Sequence, residues 1–295
     1  MAHTSFLGYK QVNRIGFGAM QLAGPGVFGP PRDPAAARAV LRRAVELGVD
    51  HIDTAQYYGP DVVNELIRKT LHPYPDGLRL VTKVGGRRDA EGAWLPASSP
   101  AELRAGVEEN LRALRVERMD LVNLRIMDDL TALPEQLGEL EDLRSEGKLD
   151  LLGVSNVTVD GLTQAVELVD VAEVQNAYSV VNRDDEPVLD AAREHGIAYV
   201  PFFPLGSAFS GGPASLAEDP AVSTVARRHG ATATQVALAW LLARYERMLL
   251  IPGTSSVGHL EENMAAGDLE LDGEDMETLE RARQLGAPLA ASERH

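Results

Sequence analysis

Short apolar runs alternate with longer amphipathic stretches along almost the whole chain, the pattern of strands and helices taken in turn. Eight runs read as strands: residues 14–18, 50–54, 80–84, 120–125, 151–155, 173–176, 198–203 and 249–252. The helices between them are marked at their ends. Asp33-Pro34 offers an N-cap with proline at the first helical position, and Gly48 closes that helix. Ser99-Pro100-Ala101-Glu102 is a capping box opening a helix over residues 100–114. Gly147 and Gly196 sit where C-terminal glycines belong, and Thr232 or Thr234 caps a helix through Ala243. Helices over 257–266 and 273–285 close the chain, and the Gly- and Pro-rich stretch 24–34 reads as a long surface loop.

Eight strands alternating with helices predict an α/β fold, the (β/α)8 TIM barrel, with the whole chain 1–295 as one domain. A doubly wound open sheet is the competing pattern. Composition narrows the class further. Lys+Arg 28 against Asp+Glu 44 leaves a net charge of −16, which speaks against a nucleic-acid or anionic-membrane surface. With 44% hydrophobic and 24% charged residues the chain is globular, not disordered. It contains no cysteine, so disulfides, thiolate metal sites and cysteine nucleophiles are excluded. The first ten residues lack a long apolar run, no stretch is long enough for a membrane span, and a cytoplasmic location is expected. The seven histidines fall in no ligand spacing, so no metal is expected, and His51 is assigned to packing.

In a barrel of this kind, chemistry gathers at the C-terminal ends of the strands. Asp53 ends the second predicted strand, with Tyr57 and Tyr58 in the turn after it. Lys83 ends the third, Arg125 the fourth, Ser155-Asn156 the fifth and Gln175-Asn176 the sixth; Gly253-Thr254-Ser255-Ser256 follows the eighth. Taken singly, the Asp reads as a turn residue and the Tyr as packing. Lys83 is different: it is one of only four lysines and stands in an apolar run, where an ammonium needs a partner. Asp53 on the neighbouring strand is that partner. A phenol beside the ammonium is expected to have its pKa lowered and to serve Tyr58 as a general acid toward a carbonyl oxygen. With no nucleophile motif in the chain, a hydride from a nicotinamide completes the chemistry. Gly16-Phe17-Gly18 is too little for a Rossmann site, so any nucleotide is expected across the strand ends.

These residues resemble the aldo-keto reductases along essentially the whole chain. Asp53-Thr54-Ala55-Gln56-Tyr57-Tyr58-Gly59 is similar to the family's catalytic motif, and Val81-Thr82-Lys83 to its lysine strand. The resemblance implies NADP(H) as cofactor. It implies that Ser155, Asn156 and Gln175 hold the nicotinamide carboxamide and that Phe202 stacks on the ring. Pro204, Leu205, Gly206 and Ser207 follow in the same motif. Gly253, Thr254, Ser255, Ser256, His259, Glu262 and Asn263 resemble the segment that binds the adenosine half. A narrower resemblance, carried by residues 20–33, 122–125 and 251–257, is to the bacterial pyridoxal reductases of that family, and it implies reduction of pyridoxal to pyridoxine.

Two departures stand out. Arg125 occupies the position of a family histidine; as a permanent cation it is expected to orient an anionic substrate oxygen, such as the ring phenolate of pyridoxal, the alternative being a salt bridge to Asp128 or Asp129. Gly253 and His259 stand where many members carry Lys and Arg around the 2′-phosphate, leaving Thr254, Ser255, Ser256 and His259 to hold it. A pocket for a small-molecule carbonyl substrate is expected from Met20, Phe28, Tyr57, Trp94 and Met127, with Trp94 in a loop as the first ring contact. A broad-specificity aldehyde or ketone reductase, a lyase forming a Schiff base at Lys83 and a catalytically silent NADP-binding subunit are the alternatives, and the oligomeric state is left open.

Overall fold

A computed structural model describes residues 3–127, 130–206 and 212–282. A hairpin of β1 (Thr4–Leu7) and β2 (Lys10–Asn13) precedes β3 (Phe17–Gly18), α1 (Pro34–Glu46), β4 (His51–Asp53) and α2 (Val62–Leu71). Then come β5 (Arg79–Arg88), β6 (Trp94–Ala97), α3 (Pro100–Leu114), β7 (Met119–Arg125), α4 (Leu133–Ser145), β8 (Leu149–Ser155) and α5 (Val159–Leu168). The chain continues through β9 (Val171–Ala177), α6 (Glu186–Glu194), β10 (Ala198–Phe202), α7 (Gly212–Glu218), α8 (Pro220–His229), α9 (Ala233–Arg244), α10 (Val257–Ala265) and α11 (Gly273–Leu279). The expected capping signals work as drawn: Asp33 accepts from the Ala35 and Ala36 amides, and Ser99 and Glu102 close a capping box at α3. Thr232, rather than Thr234, caps α9.

Seven strands run parallel in the order β3-β4-β5-β7-β8-β9-β10. The eighth predicted strand is present only as two isolated parallel bridges, Ile15 with Leu250 and Tyr199 with Met248. Those bridges close the barrel. Leu249 donates to the Tyr199 carbonyl at 3.0 Å, and Gly16 donates to the Leu250 carbonyl at 2.8 Å. The ladder goes no further because Pro252 has no N–H and because the backbones press together here. A Cβ on Gly18 would run into the Ile251 carbonyl, and one on Gly253 would lie 2.6 Å from the Gly18 carbonyl. Gly16 similarly leaves room for the His51 ring.

Two features were not anticipated. The β1–β2 hairpin turns Leu7 and Val12 into the barrel interior, where they join Val81, Leu121, Leu151, Ala198, Val200 and Leu249 in one apolar cluster. Lys10 secures the plug through Asp120 and Asp150, at 2.6 and 2.8 Å. At the other end β5 outruns its neighbours and pairs antiparallel with β6, from Gly85 opposite Ala97 to Arg88 opposite Trp94. Trp94 therefore stands on a strand, not in the expected loop. Gly85, at φ +103°, makes the departure feasible, since a Cβ there would strike the Arg125 carbonyl. The helices pack outside against the larger core, and among the described residues no helix is long and apolar enough to cross a membrane.

Two glycines give a test of this packing. Gly153 on β8 has no room for a Cβ, which would overlap Asn123 Oδ1, whereas Gly138 in α4 faces open space. In urea unfolding, Gly153→Ala is expected to lose about 1–3 kcal/mol and Gly138→Ala to gain about 0.5–1 kcal/mol.

Candidate active site

The strand ends bring the sequence-predicted centre together. Lys83 Nζ forms a buried ion pair with Asp53 and donates to the Thr54 carbonyl at 3.3 Å. Gln175 Nε2 donates to the other Asp53 oxygen at 3.1 Å, so the carboxylate is held from two strands. The Lys83 ammonium is thus committed to an acid and a carbonyl, an arrangement that gives no support to a free-amine Schiff-base role.

Behind the turn that carries Tyr57 and Tyr58 runs a buried amide chain. Thr54 donates to Asn64 at 2.7 Å, Asn64 to Asn110 at 2.8 Å, and Asn110 to Gln56 at 2.9 Å; Thr82 also donates to Asn110, at 2.7 Å. It ties the ends of β4 and β5 to α2 and α3. Asn64 and Asn110 are fully buried. Their signal in the sequence was an asparagine on the apolar face of each helix.

Tyr58 is buried, with Lys83 Nζ 5.2 Å from its ring centroid. The expected lowering of the phenol by Lys83 is reversed. Burial pushes Tyr58 well above the ordinary phenol value, Asp53 adds to that, and the cation that draws it back is Arg125. The physical reason is desolvation: a phenolate buried here loses its hydration, and the neighbouring Asp53 carboxylate opposes its charge. Arg125 also has its guanidinium 5.5 Å from the Phe202 ring. Its alternative partners, Asp128 and Asp129, lie outside the described residues.

A line of rings leads outward from Tyr58. Tyr57 meets Tyr58 edge-on at 5.4 Å and Trp94 at 5.5 Å. Arg88 lies 4.1 Å from the Trp94 ring centroid and 5.4 Å from that of Phe28. Its guanidinium also donates to the carbonyls of Gly26, Val27 and Gly92, binding the 24–34 loop to the β5–β6 hairpin. Met127 closes in beside Tyr57 over Gly86, where a Cβ would come 3.0 Å from the Met127 sulfur. Met20, on the short turn Ala19–Leu22, is partly buried and packs against the main core, as Trp94 does. Arg88 was missed in the sequence because its partners are backbone carbonyls far along the chain.

The residues assigned to the coenzyme divide into two groups. Ser155 and Gln175 are opposite each other in the β8–β9 register, and Ser155 Oγ and Gln175 Oε1 are buried with no partner. A hydroxyl and an amide carbonyl left open side by side fit a primary carboxamide such as that of nicotinamide. Asn156, at φ +60°, has its side chain on the Ile126 carbonyl at 2.8 Å. Phe202 meets Phe203 edge-on, and Pro204, Leu205 and Gly206 turn away from the strand; Ser207 lies outside the described residues.

The second group surrounds the start of α10. Thr254 Oγ1 accepts from the Ser256 amide at 3.0 Å, and Ser256 caps α10 by accepting from the His259 amide. Gly253 is fixed against Gly18, Ser255 is exposed and Asn263 is buried. Glu262 has one oxygen on the Thr232 hydroxyl at 2.6 Å. A helix N-terminus after the eighth barrel position is where folds of this kind hold phosphate groups.

Buried Glu173 was not weighed in the sequence, although it alternates with Gln175 on the same strand. Its carboxyl accepts from Asn123 at 2.8 Å and from Gln175 at 3.1 Å. Burial, reinforced by Asp53, pushes it up to about 7.

The ion pair predicts a large stability effect. Lys83→Met leaves Asp53 buried without its cation and is expected to cost about 3–5 kcal/mol in urea unfolding, with part of that recovered in Lys83→Met/Asp53→Leu.

Comparison with known proteins agrees with this geometry. The sequence profile of the Aldo/keto reductase family matches residues 14–284. Pyridoxine 4-dehydrogenase of Escherichia coli K12 is 49% identical over 285 residues, covering 95% of this chain and 98% of its own. An aldo/keto reductase from Klebsiella pneumoniae, solved in complex with NADP and acetate, is 26% identical with a TM-score of 0.77, covering 95% of each chain. An aldo-keto reductase structure from the same organism holds NADPH and is also 26% identical, with a TM-score of 0.77 over 92% of this chain and 91% of its own. The chain belongs to the aldo/keto reductase family, the (β/α)8-barrel oxidoreductases.

Proposed function

We propose that this protein reduces the aldehyde of pyridoxal to the alcohol of pyridoxine with NADPH. The observation that carries the reading is the buried Lys83–Asp53 pair beneath the Tyr58 phenol, next to the unpartnered Ser155 hydroxyl and Gln175 carbonyl. Ser155 and Gln175 orient the nicotinamide carboxamide, Phe202 lines the ring site, and the Ser256-capped start of α10, with Thr254, Ser255 and His259, takes the 2′-phosphate. The coenzyme, when bound, supplies the hydride.

The chain's own groups manage the proton. Burial holds Tyr58 protonated at neutral pH, so its hydroxyl is a donor and not a base. As negative charge develops on the substrate oxygen, Arg125 stabilises it and also eases the ionisation of Tyr58. The Lys83–Asp53 pair keeps the phenol's surroundings polar and fixed. Tyr57, Trp94, Met127 and Phe28 form an apolar, aromatic wall suited to a flat heteroaromatic ring, and the Arg125 cation suits its anionic ring oxygen. The identity to the Escherichia coli pyridoxine 4-dehydrogenase supports the same substrate.

A substrate panel followed at the NADPH absorbance, with pyridoxal, simple aromatic aldehydes and small ketones, tests the reading. Pyridoxal is expected to be the best substrate, and Tyr58→Phe to lose about 10²–10⁴-fold in turnover while still binding NADPH. Undiminished reduction by that variant would overturn the assignment. Arg88→Ala releases the wall from the 24–34 loop; it is expected to raise KM for the aldehyde about tenfold, leaving KM for NADPH nearly unchanged.

A further inference from the structure

On β9 two successive residues face the barrel interior. Val171 and Val174 pack on the helix side, Ala172 joins the interior apolar cluster, and Glu173 meets Asn123 and Gln175 inside. Alternation forbids this in a regular strand, and the β8–β9 register indeed slips between Leu152 and Gly153. Such an irregularity re-aims side chains, and here it leaves Ala172 inside the barrel beside the Glu173 carboxyl. The register aligns Lys83, Asn123, Gly153 and Glu173 across four strands, two residues deeper than Arg125, Ser155 and Gln175.

We propose that Glu173 is a positioning residue of the reaction centre, holding the Gln175 amide so that its carbonyl oxygen stays available to the coenzyme. The proposal rests on the coenzyme reading above. Gln175 Nε2 donates at 3.1 Å to both Asp53 Oδ2 and Glu173 Oε1. With carboxyl oxygens on both sides of that end, a flipped amide would set its carbonyl against each of them. The carbonyl therefore stays at the other end, where Gln175 Oε1 has no partner. Asn123 fixes the Glu173 carboxyl from β7, and Gly153 leaves the space that the Asn123 amide fills.

The charged groups facing Glu173 are Asp53 on β4 and Lys83 on β5. Asn123 on β7 and Gln175 on β9 are neutral amides, while Gly153 on β8 and Ala198 on β10 are its register partners. Burial and Asp53 raise the carboxyl; Asn123, Lys83 and Gln175 hold it back, so it changes charge across the neutral range.

Two measurements on the full chain test this: infrared titration of the protonated-carboxyl band without coenzyme, and NADPH affinity by nicotinamide fluorescence. Glu173→Gln keeps an acceptor for both amides but cannot ionise. It is expected to bind NADPH as the parent does while losing the neutral-range infrared band that belongs to Glu173. Glu173→Leu is expected to weaken NADPH binding about tenfold, the loss of one hydrogen bond of about 1.4 kcal/mol. Asp61 and Glu109 are also raised by burial, so only a band lost with Glu173 counts. The same neutral-range bands in Glu173→Gln as in the parent, or NADPH affinity untouched in Glu173→Leu, overturns the proposal. Absence of pyridoxal reduction in the parent protein strikes the functional reading instead, and the infrared and binding arms still decide Glu173.

Discussion

An ammonium and a carboxylate at the centre of the barrel depend on each other. Removed from water, either charge alone is very costly, and together they remain acceptable only while their other polar positions are filled. Asp53 is filled by Gln175, and Lys83 by the Thr54 carbonyl. The turn that supplies Thr54 is in turn held by the Asn64–Asn110–Gln56 chain. Much of the barrel's mouth is therefore organised around satisfying one ion pair, and Tyr58 inherits its fixed position from that constraint.

The same pair limits its own electrostatic reach. An ammonium paired with a neighbouring carboxylate is a dipole, and at the Tyr58 phenol the charge that registers is that of Asp53, which adds to the effect of burial. Arg125, next to the ring of Phe202, acts on the phenol as an opposing cation. Its place at the end of β7 brings a guanidinium to the same side of the barrel as the phenol.

Backbone contacts shape the rim as much as side chains do. Gly18 and Gly253 allow β3 and the segment after Leu250 to touch, which closes the barrel without a full eighth strand. Gly85 lets β5 pass the end of β7 and rise into the hairpin that carries Trp94. Arg88 then binds that hairpin to the 24–34 loop through carbonyl groups, so two segments distant in sequence form one wall.

Local rules sufficed for what is local. Apolar periodicity and capping residues such as Asp33, Ser99 and Thr232 determine the helices and the parallel strands between them, because each depends on neighbours within a few residues. An isolated lysine in an apolar run demanded an acid, and Asp53 was within reach on the next strand. The β1–β2 plug escaped notice because Thr4-Ser5-Phe6-Leu7 and Lys10-Gln11-Val12-Asn13 hold too few apolar residues to stand out as apolar runs. Only the tertiary structure decided the sign of the effect on Tyr58, the backbone grip of Arg88 and the inward turn of Glu173. Each of these arises from groups dozens of residues apart, and burial, strand register and the sum of several charges exist only once the sheet has closed.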